Sequence, residues 1–151
     1  EIFSKGLDGF FSLYVVDILR KKYRNIYTIF TGGDDLFLVG AWDEILSFSR
    51  EIREKFREFV KDKSTKHLTI SFGIVVAKPS VPIKYLADVS EENLEEAKEF
   101  CCDSNYKKLK KSECKEDSYK KDAICMFDEV VNWNSYIEVF KKLDTIFKEI
   151  K

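Results

Sequence analysis

The chain has 151 residues, 44% of them hydrophobic and 35% charged, and a formal net charge of −1. That apolar content excludes a wholly disordered chain, and the length suits one domain with a real core. Near-neutrality excludes a general polyanion binder, and no stretch is apolar for long enough to cross a bilayer.

Glu1 to Leu7 reads as a connector broken by Gly6, and Asp8 as the cap of a helix reaching about Tyr23, with Arg20, Lys21 and Lys22 at its C-terminal end. Ile26–Thr31 and Leu36–Gly40 are β-rich runs on either side of Gly32-Gly33-Asp34-Asp35, the pattern of a tight hairpin. Asp43 caps the next helix. Its apolar stripe is Ile45, Leu46, Phe48, Ile52, Phe56, Phe59 and Val60, with Arg50, Glu51, Arg53, Glu54, Arg57 and Glu58 on the opposite side. A loop at Asp62–Lys66 and a surface residue, His67, lead to a strand over Leu68–Val76. Pro79 and Pro82 mark a bend before a helix over Ile83–Phe100. Asp103–Lys121 reads as an exposed, lysine-rich insertion, Ala123–Phe127 as a short strand, and Asn132–Ile150 as a last helix. The stripe of that helix, from Trp133 to Phe147, is expected to be core or a contact to a neighbouring domain.

The order fits an α+β fold in one domain, residues 1–151: a ferredoxin-like βαββαβ palm with an antiparallel sheet and helices on one face, whose opening strand is absent. That strand belongs in the middle of the sheet, between Leu36–Val39 and Leu68–Val76. Buried backbone groups left unpaired there would cost about 1–3 kcal/mol each. The slot is therefore expected to be filled, by a strand preceding Glu1 or by another segment.

Chemistry concentrates at the hairpin tip. Asp34 and Asp35 are adjacent hard oxygen ligands suited to Mg²⁺ or Mn²⁺, which keep waters and complete their shell from substrate phosphates. Gly32 and Gly33 accept unusual dihedrals and leave room for a triphosphate. Two divalent ions about 3.5–4 Å apart can hold the attacking and leaving oxygens of phosphoryl transfer. The same four residues also make a plain hairpin turn. Cys101, Cys102, Cys114 and Cys125 form no Cys-x-x-Cys pair and His67 is distant, so reduced thiols are expected rather than a zinc site, with disulfides as the alternative. With no basic leader at Glu1, a cytoplasmic location is expected.

The stretch Tyr27–Trp42, with Thr31-Gly32-Gly33-Asp34-Asp35-Leu36 at its centre, closely resembles the second palm domain of the large subunit of type III CRISPR effector complexes, nearest to the Csm-type branch. Leu68–Ile74, Leu94–Lys98 and Val130–Trp133 resemble that family's later segments, more loosely. The resemblance implies synthesis of cyclic oligoadenylates from ATP when target RNA binds the guide-bearing complex, in antiviral defence. It implies metal binding by Asp34 and Asp35, a triphosphate lined by Gly32 and Gly33, and a phosphate contact from Lys98. Its partners would be the other subunits, guide RNA, target RNA and ATP, with no membrane. The family's aspartate-bearing first palm strand, its HD nuclease domain and its partner palm do not match any part of the chain, and residues are expected to be missing near Leu7 and Asp8, so little activity is expected of the fragment alone. A diguanylate-cyclase-like enzyme is the alternative within the chemistry, although its turn usually continues with Glu and Phe where this one has Asp35 and Leu36. A catalytically silent palm serving as an assembly surface is the alternative outside it. The lysines at 107, 108, 110, 111, 120 and 121 are read as a solvated loop balanced by Glu113, Glu116 and Asp117 rather than as an RNA contact.

Overall fold

The computed structural model describes residues 2–61, 68–105, 107–115 and 119–149; the loop at 62–66, His67, Glu116 and Asp117 lie outside them. The chain divides into two compact units, Glu1–Lys55 and Phe56–Lys151.

The first unit opens with helix where a connector was expected. Helix α1 (Ile2–Gly9) passes through one π turn (Phe10–Tyr14) into α2 (Val15–Lys22). Gly6 does not interrupt it, since a helical glycine costs only about 1 kcal/mol, and Asp8 lies inside the helix rather than capping it. The π turn has a packing consequence. It lets two successive residues, Phe10 and Phe11, both be buried, with their rings edge to face at 5.3 Å. Val15 and Leu19 continue the buried side.

Tyr23 leaves the helix, and β1 (Ile26–Gly32) and β2 (Asp35–Gly40) follow as the expected antiparallel hairpin. Its base is tied to α3 (Trp42–Phe59). Asn25 donates its backbone N–H (3.1 Å) and its side-chain amide (2.6 Å) to the two oxygens of Glu44. The Tyr23 hydroxyl donates to Glu51 Oε2 at 2.6 Å, and Lys22 pairs with the same oxygen at 2.6 Å. Along α3 the buried arc is one row wider than expected. Ser49 and Arg53, one step along from Phe48 and Ile52, are buried as fully as those two. Arg53 therefore does not belong to the solvated face.

In the second unit a short β3 (Phe72–Gly73) pairs in parallel with β6 (Ala123–Met126), which pairs antiparallel with β7 (Glu129–Asn132). Helix α4 (Ile83–Glu99), entered through Pro82, packs on β3 and β6. Asn93, buried in α4, donates to the Ile74 carbonyl at 2.9 Å. Gly73 makes the approach possible: a Cβ there would sit 2.2 Å from the Ser90 carbonyl oxygen and 2.3 Å from the Leu94 nitrogen. Helix α5 (Trp133–Glu149) follows β7 directly. Trp133 is fully buried, edge-on to Phe72 at 5.2 Å and to Tyr136 at 5.3 Å, so the head of the expected stripe is core of this unit.

Three expectations change here. The strand expected over Leu68–Val76 shrinks to Phe72–Gly73, because only these two residues find a ladder, on β6. The single sheet is replaced, among the described residues, by three small ones, and β2 pairs only with β1; no described residue fills the slot beside β2. The architecture remains mixed α and β. The third change concerns sulfur. Cys101 and Cys114 form a disulfide, while Cys102 and Cys125 are buried free thiols. The pairing follows from a strand pattern that the sequence hid. β4 (Cys101–Cys102) pairs with β5 (Tyr119–Lys120), and the chain between them returns alongside β4, with Leu109 N–H donating to the Cys101 carbonyl at 2.9 Å. Of the lysines in this segment, those at 107, 108, 110, 120 and 121 are exposed.

Candidate functional site

Gly32 pairs with Asp35, so the hairpin loop is the two residues Gly33 and Asp34. Gly33 has φ +60° and Asp34 is not among the described residues with a positive φ, the pattern of a type II′ turn, whose first central position requires glycine. Hence only one of the two glycines is needed for its dihedrals. A Cβ on Gly33 would meet nothing within 4 Å, so that side of the turn is open.

Asp34 and Asp35 are both exposed, at the same tip. Asp35 opens β2 and shares a face of the hairpin with its partner Gly32. Two exposed carboxylates on consecutive residues fit a hard divalent ion, which takes its remaining ligands from water and phosphate. Among the described residues no third His, Cys, Asp or Glu joins them in a ligand cluster, so this chain offers a partial donor set. The tip is convex. A shallow recess of about 390 Å³ in the same unit lies between α2 and the start of β1, lined from Val16 to Thr28, and includes neither aspartate.

Lys98 lies in the second unit, in the last turn of α4, exposed, with Nζ 3.1 Å from Glu95 Oε1. An exposed pair of this kind contributes little to stability and leaves the ammonium free to exchange partners. Burial raises the thiols of Cys102 and Cys125, aided by Asp103 and Glu96 respectively, so both stay protonated and unreactive at neutral pH. At the base of the hairpin, burial alone would raise the Glu51 carboxyl. Hydrogen bonds from Lys22 and Tyr23 and the charge of Lys22 outweigh it and hold the group below its ordinary 4.5. The Tyr23 phenol is pushed well up by burial and by its bond to Glu51.

Residues 1–106 match the family described as Cas10/Cmr2, second palm domain, a range that holds both the turn and Lys98. The chain belongs to that family. It is the second palm domain of a type III CRISPR large subunit, in agreement with the resemblance carried by Tyr27–Trp42. Proteins named CRISPR system single-strand-specific deoxyribonuclease Cas10/Csm1 (subtype III-A) are similar to it. That of Methanocaldococcus jannaschii is 31% identical over 146 residues, covering 89% of this chain and 17% of the relative. That of Mycobacterium tuberculosis is 38% identical over 97 residues, covering 56% and 12%. That of Streptococcus thermophilus is 36% identical over 95 residues, covering 63% and 12%. The chain thus spans less than a fifth of the length of these relatives. Among the described residues of the palm domain, no helix is long and apolar enough to cross a membrane.

What the sequence did not disclose at the site is its surroundings on the hairpin. Tyr27, Ile29 and Phe30 are exposed large side chains on β1, although the strand is rich in apolar residues. The only signal was the aromatic content of β1, which reads equally well as core.

Proposed function

We propose that the Gly32–Asp35 turn is the metal-binding half of a nucleotidyl-transfer centre that, in the full-length subunit, converts ATP into cyclic oligoadenylates when target RNA is bound. The observation that carries this reading is the pair of exposed, consecutive carboxylates on a glycine-opened II′ turn within a second palm domain. Asp34 and Asp35 would hold Mg²⁺ or Mn²⁺, which supply charge neutralisation of the triphosphate and activation of the attacking hydroxyl. Gly33 leaves the approach to the turn open, and Lys98 offers a phosphate contact once its exposed partner Glu95 is exchanged for substrate.

The remaining ligands belong to a ferredoxin-like sheet completed by an aspartate-bearing strand, and to the partner palm. The site is composite, and the palm domain works as one member of a cytoplasmic ribonucleoprotein with further subunits, guide RNA and target RNA.

The test is Asp34→Ala with Asp35→Ala in the assembled effector. Cyclic oligoadenylate output should fall at least about a hundredfold, as expected when charge stabilisation is removed from a transfer centre, while assembly and target-RNA binding persist. Unchanged output would overturn the reading and leave the palm as an assembly surface. Product made from GTP in place of ATP would replace it with a diguanylate-cyclase-like one.

A further inference from the structure

From the turn outward, β1 and β2 stay in register as far as Phe30, which faces Phe37. The register then slips. Thr28 pairs with Leu38 and Tyr27 with Val39, which leaves Ile29 as a bulge. Cross-strand partners share a face of the pleat, so Asp35, Gly32, Phe30 and Phe37 lie on one face. In an unbroken ladder the next β1 residue on that face would be Thr28, opposite Val39. The bulge puts Tyr27 there instead and turns Ile26 to the other face, where it is buried. Bulges beside functional turns commonly re-aim side chains in this way. Here the result is an aromatic row, Tyr27, Phe30 and Phe37, that ends at the carboxylate of Asp35.

The row is open. Tyr27 is 68% and Phe30 55% exposed. Gly32 has a part in it that its backbone angles do not explain. A Cβ at that position would lie 2.6 Å from Cζ of the Phe30 ring, so glycine lets the ring lie along the strand toward the turn. A flat π surface thus leads into an acidic tip. A nucleoside triphosphate carrying a divalent cation has the complementary order, an aromatic base at one end and a metal–phosphate group at the other.

We propose that Phe30, extended by Tyr27, is the platform on which the base of the bound nucleotide stacks while its metal–phosphate end sits at Asp34 and Asp35. This rests on the metal–triphosphate reading given under Proposed function. Stacking uses the face of a base and not its hydrogen-bonding edge. The platform therefore holds adenine and guanine about equally, and discrimination between ATP and GTP comes from other residues.

The experiment measures equilibrium binding of ATP, GTP and inorganic tripolyphosphate, each with Mn²⁺, to the full-length subunit. Phe30→Leu keeps an apolar side chain and removes the ring; it should weaken ATP and GTP alike by about tenfold, within the range for one lost base–aromatic stack, and leave tripolyphosphate unchanged. Tyr27→Leu should show a smaller loss of the same pattern, and Phe30→Tyr should bind like the parent. The platform is overturned if Phe30→Leu leaves ATP affinity unaltered, which would mean that another segment of the protein covers the row. It is overturned also if tripolyphosphate weakens as much as ATP, which would mean that the ring only supports the turn. Asp34→Ala with Asp35→Ala separates the two levels. Loss of all three ligands upholds the metal–phosphate site whatever Phe30→Leu does, whereas undiminished tripolyphosphate binding removes that site and the platform with it.

Discussion

Two glycines, Gly33 at the hairpin tip and Gly73 in the β3–α4 junction, are required for opposite reasons. Gly33 has a left-handed φ of +60° and empty space around it. Gly73 has no positive φ, but the backbone of α4 stands where its side chain would be. One glycine frees a chain from its own sterics, and the other lets two elements touch. The surroundings follow the same division. The residues flanking Gly73 meet buried side chains, Phe72 the ring of Trp133 and Ile74 the amide of Asn93. Around Gly33 the side chains are exposed, so Asp34 and Asp35 are not there to fill a core. Residues at an exposed tip are free of packing demands, which is where chemistry can be placed at little cost to folding.

The largest expected effect sharpens this contrast. Trp133→Ala removes a fully buried indole that touches Phe72 and Tyr136 and should lower stability by about 3–5 kcal/mol. Tyr27→Ala, on the exposed hairpin row, should change it by no more than about 0.5 kcal/mol. Denaturant midpoints of both variants measure this. A comparable loss for Tyr27 would show the hairpin face to be packed and would break the comparison.

Alanine at the two glycines comes next. At Gly73 the new Cβ meets helix backbone, which has no rotamer to yield, so a loss of about 3 kcal/mol, at the upper end for overpacking, is expected. At Gly33 only left-handed strain is added, about 1 kcal/mol, with no collision. The same unfolding measurement checks the order; equal losses would mean that the two glycines serve one purpose.

How much of this was legible follows from the range of the interactions involved. The hairpin was, because Gly-Gly-Asp-Asp between two apolar runs carries its own turn chemistry, and so was α4, where Pro82 fixes the entry and Leu86, Leu94 and Ala97 keep helical spacing. The α1–π–α2 run was not, since Gly6 looks like a break unless the register that buries both Phe10 and Phe11 is known. β7 was missed for a similar reason. Its turn, Phe127-Asp128, places both residues at positive φ, 57° and 62°, and nothing in a phenylalanine announces a left-handed turn. The Cys101–Cys114 bond needed the β4–β5 pairing, a contact between segments without strand-like composition. At the candidate site, the aspartates could be read from local pattern. The aromatic row could not, because it depends on a one-residue slip at Ile29 that is settled only by pairing with β2.

The smallest expected effect tests how the hairpin is held. Its faces are open, but its base is anchored, through Tyr23 and Lys22, to Glu51 on α3. The Glu51 carboxyl titrates below its ordinary value in the folded chain. The charged form is therefore favoured by folding; its contribution is fully present above pH 4.5 and fades as the pH falls through the lower folded-state value. Glu51→Gln keeps the size and loses the charge. For a partly exposed cluster the loss at pH 7 should be about 0.5–1 kcal/mol, seen as a lower Tm, and the parent and variant curves should converge as the pH falls below the folded-state value. The Tyr23 phenol gives the opposite sign, since its raised value makes the neutral form the folded one. Stability linked to Tyr23 is present below pH 10 and is lost as the pH rises further. A gap between parent and Glu51→Gln that does not narrow anywhere as the pH is lowered from 7 through the carboxylate range would show that the carboxylate charge does not hold the hairpin base, leaving the Asn25–Glu44 pair as its anchor.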